Sequence, residues 1–175
     1  MRQHQFNKVE LVKVVSADSS TQQHEEMVAD VEELLKRLEL PYRKLLLCSG
    51  DTGFAARKCY DLEVWFPGQQ AYREVSSISN CHDFQSKRMG FIATDNAFNV
   101  SRIERRNGRT YPHTINGSGL AIGRVIAAIL ENYQCPDGTV NLPSALVGYC
   151  PVEWNGKIPA TPSIKKNTIK LVQKR

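Results

Sequence analysis

Between Tyr42 and Ile78 the chain carries three β-rich runs broken by turn residues rather than by helical stretches, and this pattern limits the fold more than any other feature. The runs are Leu45-Leu46-Leu47-Cys48, Leu62-Glu63-Val64-Trp65-Phe66 and Tyr72 to Ile78, separated by Ser49-Gly50-Asp51-Thr52-Gly53 and then by Pro67-Gly68. Parallel neighbours need a crossover of a dozen or more residues, usually a helix. Runs joined by turns therefore predict an antiparallel sheet.

The flanking segments supply helices and more strand. Residues 5 to 15 alternate loosely and end in Val9, Leu11, Val12, Val14 and Val15, a β-branched run expected to form a strand at least half buried. Ser19, Ser20 and Thr21 offer cap hydroxyls, with Gln22 and Gln23 placed as in a capping box. Met27, Val28, Val31, Leu34, Leu35 and Leu38 then follow at helical spacing opposite an acidic face, and this helix should end before Pro41. A helical turn is expected near His82 to Met89. Asn107-Gly108 is a two-residue hairpin signal between Val100 to Ile103 and Thr110 to Ile115. Leu120, Ile122, Val125, Ile126, Ile129, Leu130 and Tyr133 describe a second helix, apolar over more than half its circumference and expected to lie buried on the sheet until Pro136-Asp137-Gly138 stops it.

Charge and cysteine usage exclude several classes. All of the net +5 lies in residues 151 to 175, where six Lys and Arg face Glu153 alone, while residues 1 to 150 balance 17 against 17. The segment 151–175 reads as a basic, disordered tail. No stretch approaches the roughly 18 apolar residues of a membrane helix, and Met1 to Gln5 has no apolar core of a secretory signal, so an intracellular protein is expected, in the cytoplasm or alternatively in an organelle. The five cysteines are odd in number and form no Cys-x-x-Cys, which argues against a disulfide framework or a zinc ribbon; they are expected to be reduced and mostly buried.

Three clusters carry chemistry. In Arg2 to Glu10 the two-residue period puts Phe6, Lys8 and Glu10 on one strand face, where a ring and a carboxylate suit a base and an ammonium group. An ordinary surface strand of mixed charge explains the same residues. Tyr72 to Asn80 is dense in hydroxyls and carboxylates, with Glu74 and Ser76 on one face and Ser77 and Ser79 also available. Hard oxygens beside phosphate suit magnesium, and a solvent-facing polar strand is the plainer account. His113 to Arg124 reads as a strand passing through a Gly/Ser turn into a helix, with Arg124 near its start. Glycines admit a ligand to the backbone, a helix amino end favours anions and a guanidinium grips phosphate. It is not a Walker loop, because Gly-Lys-Ser/Thr is missing.

Taken in order, these clusters closely resemble the carboxy-terminal part of the catalytic core of seryl-tRNA synthetases, a family of class II aminoacyl-tRNA synthetases. The matching stretches are Arg2 to Leu11, Leu38 to Tyr42, Gly50-Asp51-x-Gly53-Phe54, Tyr60 to Trp65, Pro67-Gly68-Gln69, Tyr72 to Asn80, Asp83-Phe84-Gln85 and His113 to Arg124. The resemblance implies an α+β fold: a class II antiparallel sheet flanked by helices, incomplete at its amino end. Residues 1–150 would form a partial catalytic domain, from the second half of motif 2 through motif 3. The implied activity is serine-tRNA ligation: ATP, with Mg2+, activates serine to seryl-adenylate, which passes to tRNA(Ser), and the family is usually homodimeric. By motif, Phe6 is similar to the aromatic that stacks on adenine and Glu10 to the carboxylate that contacts bound serine. Glu74, Val75, Ser76 and Ser77 look like the ATP segment, with Glu74 and Ser77 placed to meet magnesium. Ser118 and its neighbour Asn116 resemble the serine pocket, and Arg124 the catalytic motif 3 arginine on the ATP phosphates.

The resemblance starts in the middle of motif 2. The family's preceding Phe-Arg-x-Glu strand, its motif 1 and its amino-terminal helical arm have no counterpart in the 175 residues, so the chain alone is expected to be catalytically incomplete. Residues 89 to 106 depart from the family pattern, and no match is clear after about Val147. Three readings stand: a fragment or partial gene model of a serine-tRNA ligase, a short non-catalytic paralogue serving as a binding or regulatory module, or an aminoacyl-carrier-protein ligase of synthetase ancestry.

Overall fold

A computed structural model describes residues 2–93 and 111–160. The hairpin expected at Asn107-Gly108 lies outside the described residues, as do 161–175. The long strands are β1 (Lys8–Val15), β2 (Tyr42–Leu46), β3 (Lys58–Phe66), β4 (Ala71–Asn80) and β5 (His113–Ala121). They form one sheet in the order β1-β5-β4-β3-β2, antiparallel throughout. The long helices are α1 (Ser20–Arg37) and α3 (Ile122–Asn132), with the short α2 (Phe84–Met89) between β4 and β5 and α4 (Ser144–Val147) near the end.

Helix α1 follows its apolar period. Met27, Val28, Val31 and Leu35 are fully buried, and Lys36 and Arg37 in the last turn suit the negative end of the helix dipole. Its carboxyl end closes as a Schellman motif: Leu40 N–H donates to Leu35 O and Glu39 N–H to Lys36 O, with Glu39 in the left-handed region. The capping box is not formed. Ser19 Oγ is engaged with Ser16, and Gln22 and Gln23 both donate to Glu26, so the amino end has no side-chain cap.

One core joins α1, α3 and a single face of the sheet, through Leu62, Val64, Phe66, Val75, Ile78, Ile115 and Leu120. Two expectations of burial are corrected here. Strand β1 is an edge strand: Leu11 and Val15 pack on the core, while Val12 is 65% exposed on the opposite face. Helix α3 buries only the stripe Val125, Ala128 and Ile129, leaving Ile122, Ile126 and Leu130 exposed, because it has the sheet on one side only.

Two further corrections concern the carboxyl end and the cysteines. The expected tail does not begin at 151: β6 (Val140–Asn141) pairs with β7 (Lys157–Ile158), and Leu142 N–H donates to Gly156 O. All five cysteines are free, but only Cys59 and Cys81 are buried, while Cys48 is exposed.

Candidate functional site

Two sheet irregularities build the site. Leu62 pairs with Ser76, but Glu63 pairs with Glu74, so β4 carries one extra residue, Val75, opposite β3. This bulge reverses the local alternation. Glu74 lies across from Glu63 and Ser77 across from Asp61, so Glu74 and Ser77 share the open face although they are three apart. Glu74 and Ser76 were expected on one face, and the bulge corrects this. Ser76 is 1% exposed, and its hydroxyl donates to Ser118 O at 2.5 Å, while Val75 enters the core.

The second irregularity lies between Lys8 paired with Ala121 and Glu10 paired with Ser118, where β5 spends two residues, Gly119 and Leu120, against Val9. Strand β5 therefore runs straight through the expected Gly/Ser turn, and the glycines serve strand packing. A Cβ on Gly117 would lie 2.7 Å from Ile78 Cγ1, and one on Gly119 3.1 Å from Leu11. Helix α3 starts directly after the strand, with Arg124 as its third residue.

Three carboxylate contacts organise the side chains around the candidate site. Arg124 Nη1 donates to Glu74 O at 2.5 Å and lies 3.6 Å from Glu74 Oε2, tying the first turn of α3 to the β4 bulge. Ser118 Oγ donates to Glu10 Oε2 at 3.3 Å across the β1–β5 pair. Lys8 Nζ lies 2.7 Å from the same oxygen. A cleft of about 490 Å³ is lined by Phe6, Lys8, Glu74, Ser118 and Arg124, together with Arg2, Gln3 and the small residues Ala121, Gly123 and Ala127. Phe6 precedes β1 rather than sitting within it, and the residue is 53% exposed.

Of the residues expected at the site, Phe6, Glu74, Ser118 and Arg124 line the cleft, and Glu10 joins them through Ser118. Asn116 does not: its amide donates to Gln85 Oε1 at 3.3 Å and to Cys81 Sγ, toward α2. Ser77 lies deeper on the open face, with its hydroxyl 3.2 Å from Cys59 Sγ. Asp61 beside it has one carboxylate oxygen buried without a partner, and burial raises its pKa above the ordinary 3.8, against a lowering bond from Ser77. Arg2, Gln3 and Lys8 were not assigned to the site. Lys8 was legible from its place two residues before Glu10. Arg2 and Gln3 were not, since they lie outside any periodic element; Gln3 reaches α3 because Gly123 leaves room, a Cβ there falling 3.2 Å from Gln3 Oε1.

The arrangement favours an anionic ligand with a planar group. Arg2, Lys8 and Arg124 supply positive charge, Phe6 a face for stacking, and Glu10 with Ser118 a polar pair able to hold an ammonium or hydroxyl group. Glu74 and Ser77 are two hard oxygen donors on one face. They suit magnesium, which takes one or two protein ligands and completes its shell with phosphate and water.

Residues 1–133 match the family model of the tRNA synthetase class II core domain (G, H, P, S and T). A Methylobacterium nodulans protein named Serine--tRNA ligase is 53% identical over 151 residues, which make up 85% of this chain and 32% of that protein. The seryl-tRNA synthetase of Pyrococcus horikoshii, solved in complex with ATP, superposes with a TM-score of 0.79 at 40% identity, covering 92% of this chain and 34% of that one. The cytoplasmic serine-tRNA ligase of Naegleria fowleri, solved in complex with AMP, gives 0.78 at 33% identity, covering 92% and 32%. The chain thus spans a third of the length of the relatives it resembles. With its sheet, its bulged strands and the residues around the cleft accounted for, the chain belongs to the class II tRNA synthetase core-domain family.

Proposed function

We propose that the chain is the catalytic-core segment of a serine-tRNA ligase, supplying much of the surface on which serine and ATP become seryl-adenylate. The observation that carries this reading is the convergence of Phe6, Glu74, Ser118 and Arg124 on one cleft, with Glu10 bonded to Ser118. Phe6 offers its ring to adenine, Arg124 turns from Glu74 to the phosphates, and Glu10 with Ser118 receives serine. In the reaction the serine carboxylate attacks the α-phosphorus in line and pyrophosphate leaves. Positioning and cationic stabilisation carry most of such a step, so Arg124 serves better than a general base would. Magnesium at Glu74 and Ser77 would supply further neutralisation of the phosphates. Alanine lacks the hydroxyl that the Glu10–Ser118 pair would hold and so should bind less well than serine.

The same reading takes tRNA(Ser) as acceptor, a homodimer as the assembly and the cytoplasm as the setting. Among the described residues no helix is long and apolar enough to cross a membrane. The test is calorimetric titration with AMP and with a non-hydrolysable sulfamoyl analogue of seryl-adenylate. Arg124→Ala should weaken both about 10-fold or more, as expected for a lost charge-assisted hydrogen bond, and Glu10→Ala should weaken only the seryl analogue. Unchanged binding in both variants would refute the assignment.

A further inference from the structure

Lys8 occupies the place that the proposed function gives to the substrate's ammonium. Its Nζ lies 2.7 Å from Glu10 Oε2 and donates to Ser118 Oγ at 3.3 Å, while Ser118 Oγ donates to the same Glu10 oxygen at 3.3 Å. A primary ammonium, a carboxylate and a hydroxyl thus close a triangle whose last two members are the proposed contacts of serine. The side chains of Lys8 and Glu10 are 43% and 36% exposed, and an ion pair so open to solvent is weak and easily exchanged. The flexible lysine stem allows the head to move without the strand.

We infer that Lys8 is a resident occupant of the amino-acid subsite, displaced by the ligand's own ammonium and released to meet the ligand's anionic group in the same cleft. The inference rests on the reading of Glu10 and Ser118 as serine contacts. The exchange keeps one cation on Glu10 throughout, so the carboxylate is never left unpaired. Once freed, the Lys8 ammonium joins Arg2 and Arg124 along the cleft wall, and this added positive charge becomes available only after an ammonium group has arrived. A carboxylate or phosphoryl group is therefore held best when it comes with an amino group. The chemical class selected is an α-amino acid or its adenylate rather than a bare amine or acid.

The experiment compares the 175-residue chain with Lys8→Met by NMR titration, using L-serine and ethanolamine. Ethanolamine has the ammonium and hydroxyl of serine without its carboxylate. It should bind Lys8→Met about 2- to 5-fold more tightly than the unaltered chain, because its competitor is gone. L-serine should gain less or lose affinity, since the released cation is missing, so the preference for serine over ethanolamine falls. A dispersed amide spectrum that matches the unaltered chain away from the cleft reports that the variant is folded. Equal changes for the two amines, or none, would overturn the role of Lys8 and leave the pocket assignment standing. Failure of both amines to bind either form would overturn the assignment of Glu10 and Ser118, and the inference with it.

Discussion

Gly117 sets the distance between two central strands. A methyl group there would meet Ile78 Cγ1 at 2.7 Å and Ile78 Cβ and Cγ2 at 3.0 Å, and a β-branched side chain has little rotamer freedom with which to yield. Gly117→Ala should therefore cost about 1–3 kcal/mol of overpacking, read as a lower urea midpoint with an unchanged slope. An unchanged midpoint would mean that β4 and β5 separate without cost. At this scale the sequence was partly legible. Phe6, Glu74, Ser118 and Arg124, whose residue types and order match a motif pattern, all line the cleft. Asn116 sits in the same motif, yet its amide turns to Gln85, a partner 31 residues away in the chain that local spacing could not reveal.

Helix α1 is held on the sheet by apolar packing and by a buried imidazole. The His24 ring is fully buried, its Nε2 lies 2.9 Å from Ile78 O, and it stacks on Tyr60 at 5.5 Å, while Nδ1 has no partner. Burial holds its pKa below the ordinary 6.5, since a proton on Nδ1 would bury a charge and leave an N–H without an acceptor. His82 and His113, stacked at 4.5 Å where β4 and β5 meet α2, are also lowered, first by burial, then by Arg57 for His82 and by their mutual repulsion for His113. The unfolded chain thus binds more protons below pH 6.5, and stability should fall from there as pH drops toward the folded-state values, by up to about 1.4 kcal/mol per pH unit for His24. Melting temperatures at pH 7.5 and 5.5 test this, with His24→Gln flattening the difference; equal melting at both pH values would contradict it. Element types were legible from period and turn residues, but edges were not. The strand-to-helix change at Ala121–Ile122 was expected near Gly117 because glycine signals a turn locally, whereas here it permits close strand packing.

Across the whole molecule, the cleft's described guanidinium groups come from Arg2 and Arg124, and no Phe-Arg-x-Glu occurs in the 175 residues. The isolated chain, a third of the length of its relatives, should show little or no serine-dependent ATP–pyrophosphate exchange. Robust exchange by pure protein would overturn this and make the chain a self-sufficient catalyst. Net charge does not bear on that outcome, because residues 1 to 150 are neutral and the excess lies beyond them. The antiparallel sheet, the two long helices and the motif residues were determined by the sequence alone, since periodicity, turn chemistry and motif order are local and act within a few residues. The faces were decided only by the tertiary structure. One extra residue at Val75 turns Ser77 toward Glu74, and one at β5 sets Glu10 against Ser118; a bulge exists only in the pairing of two strands, so no single strand's sequence contains it.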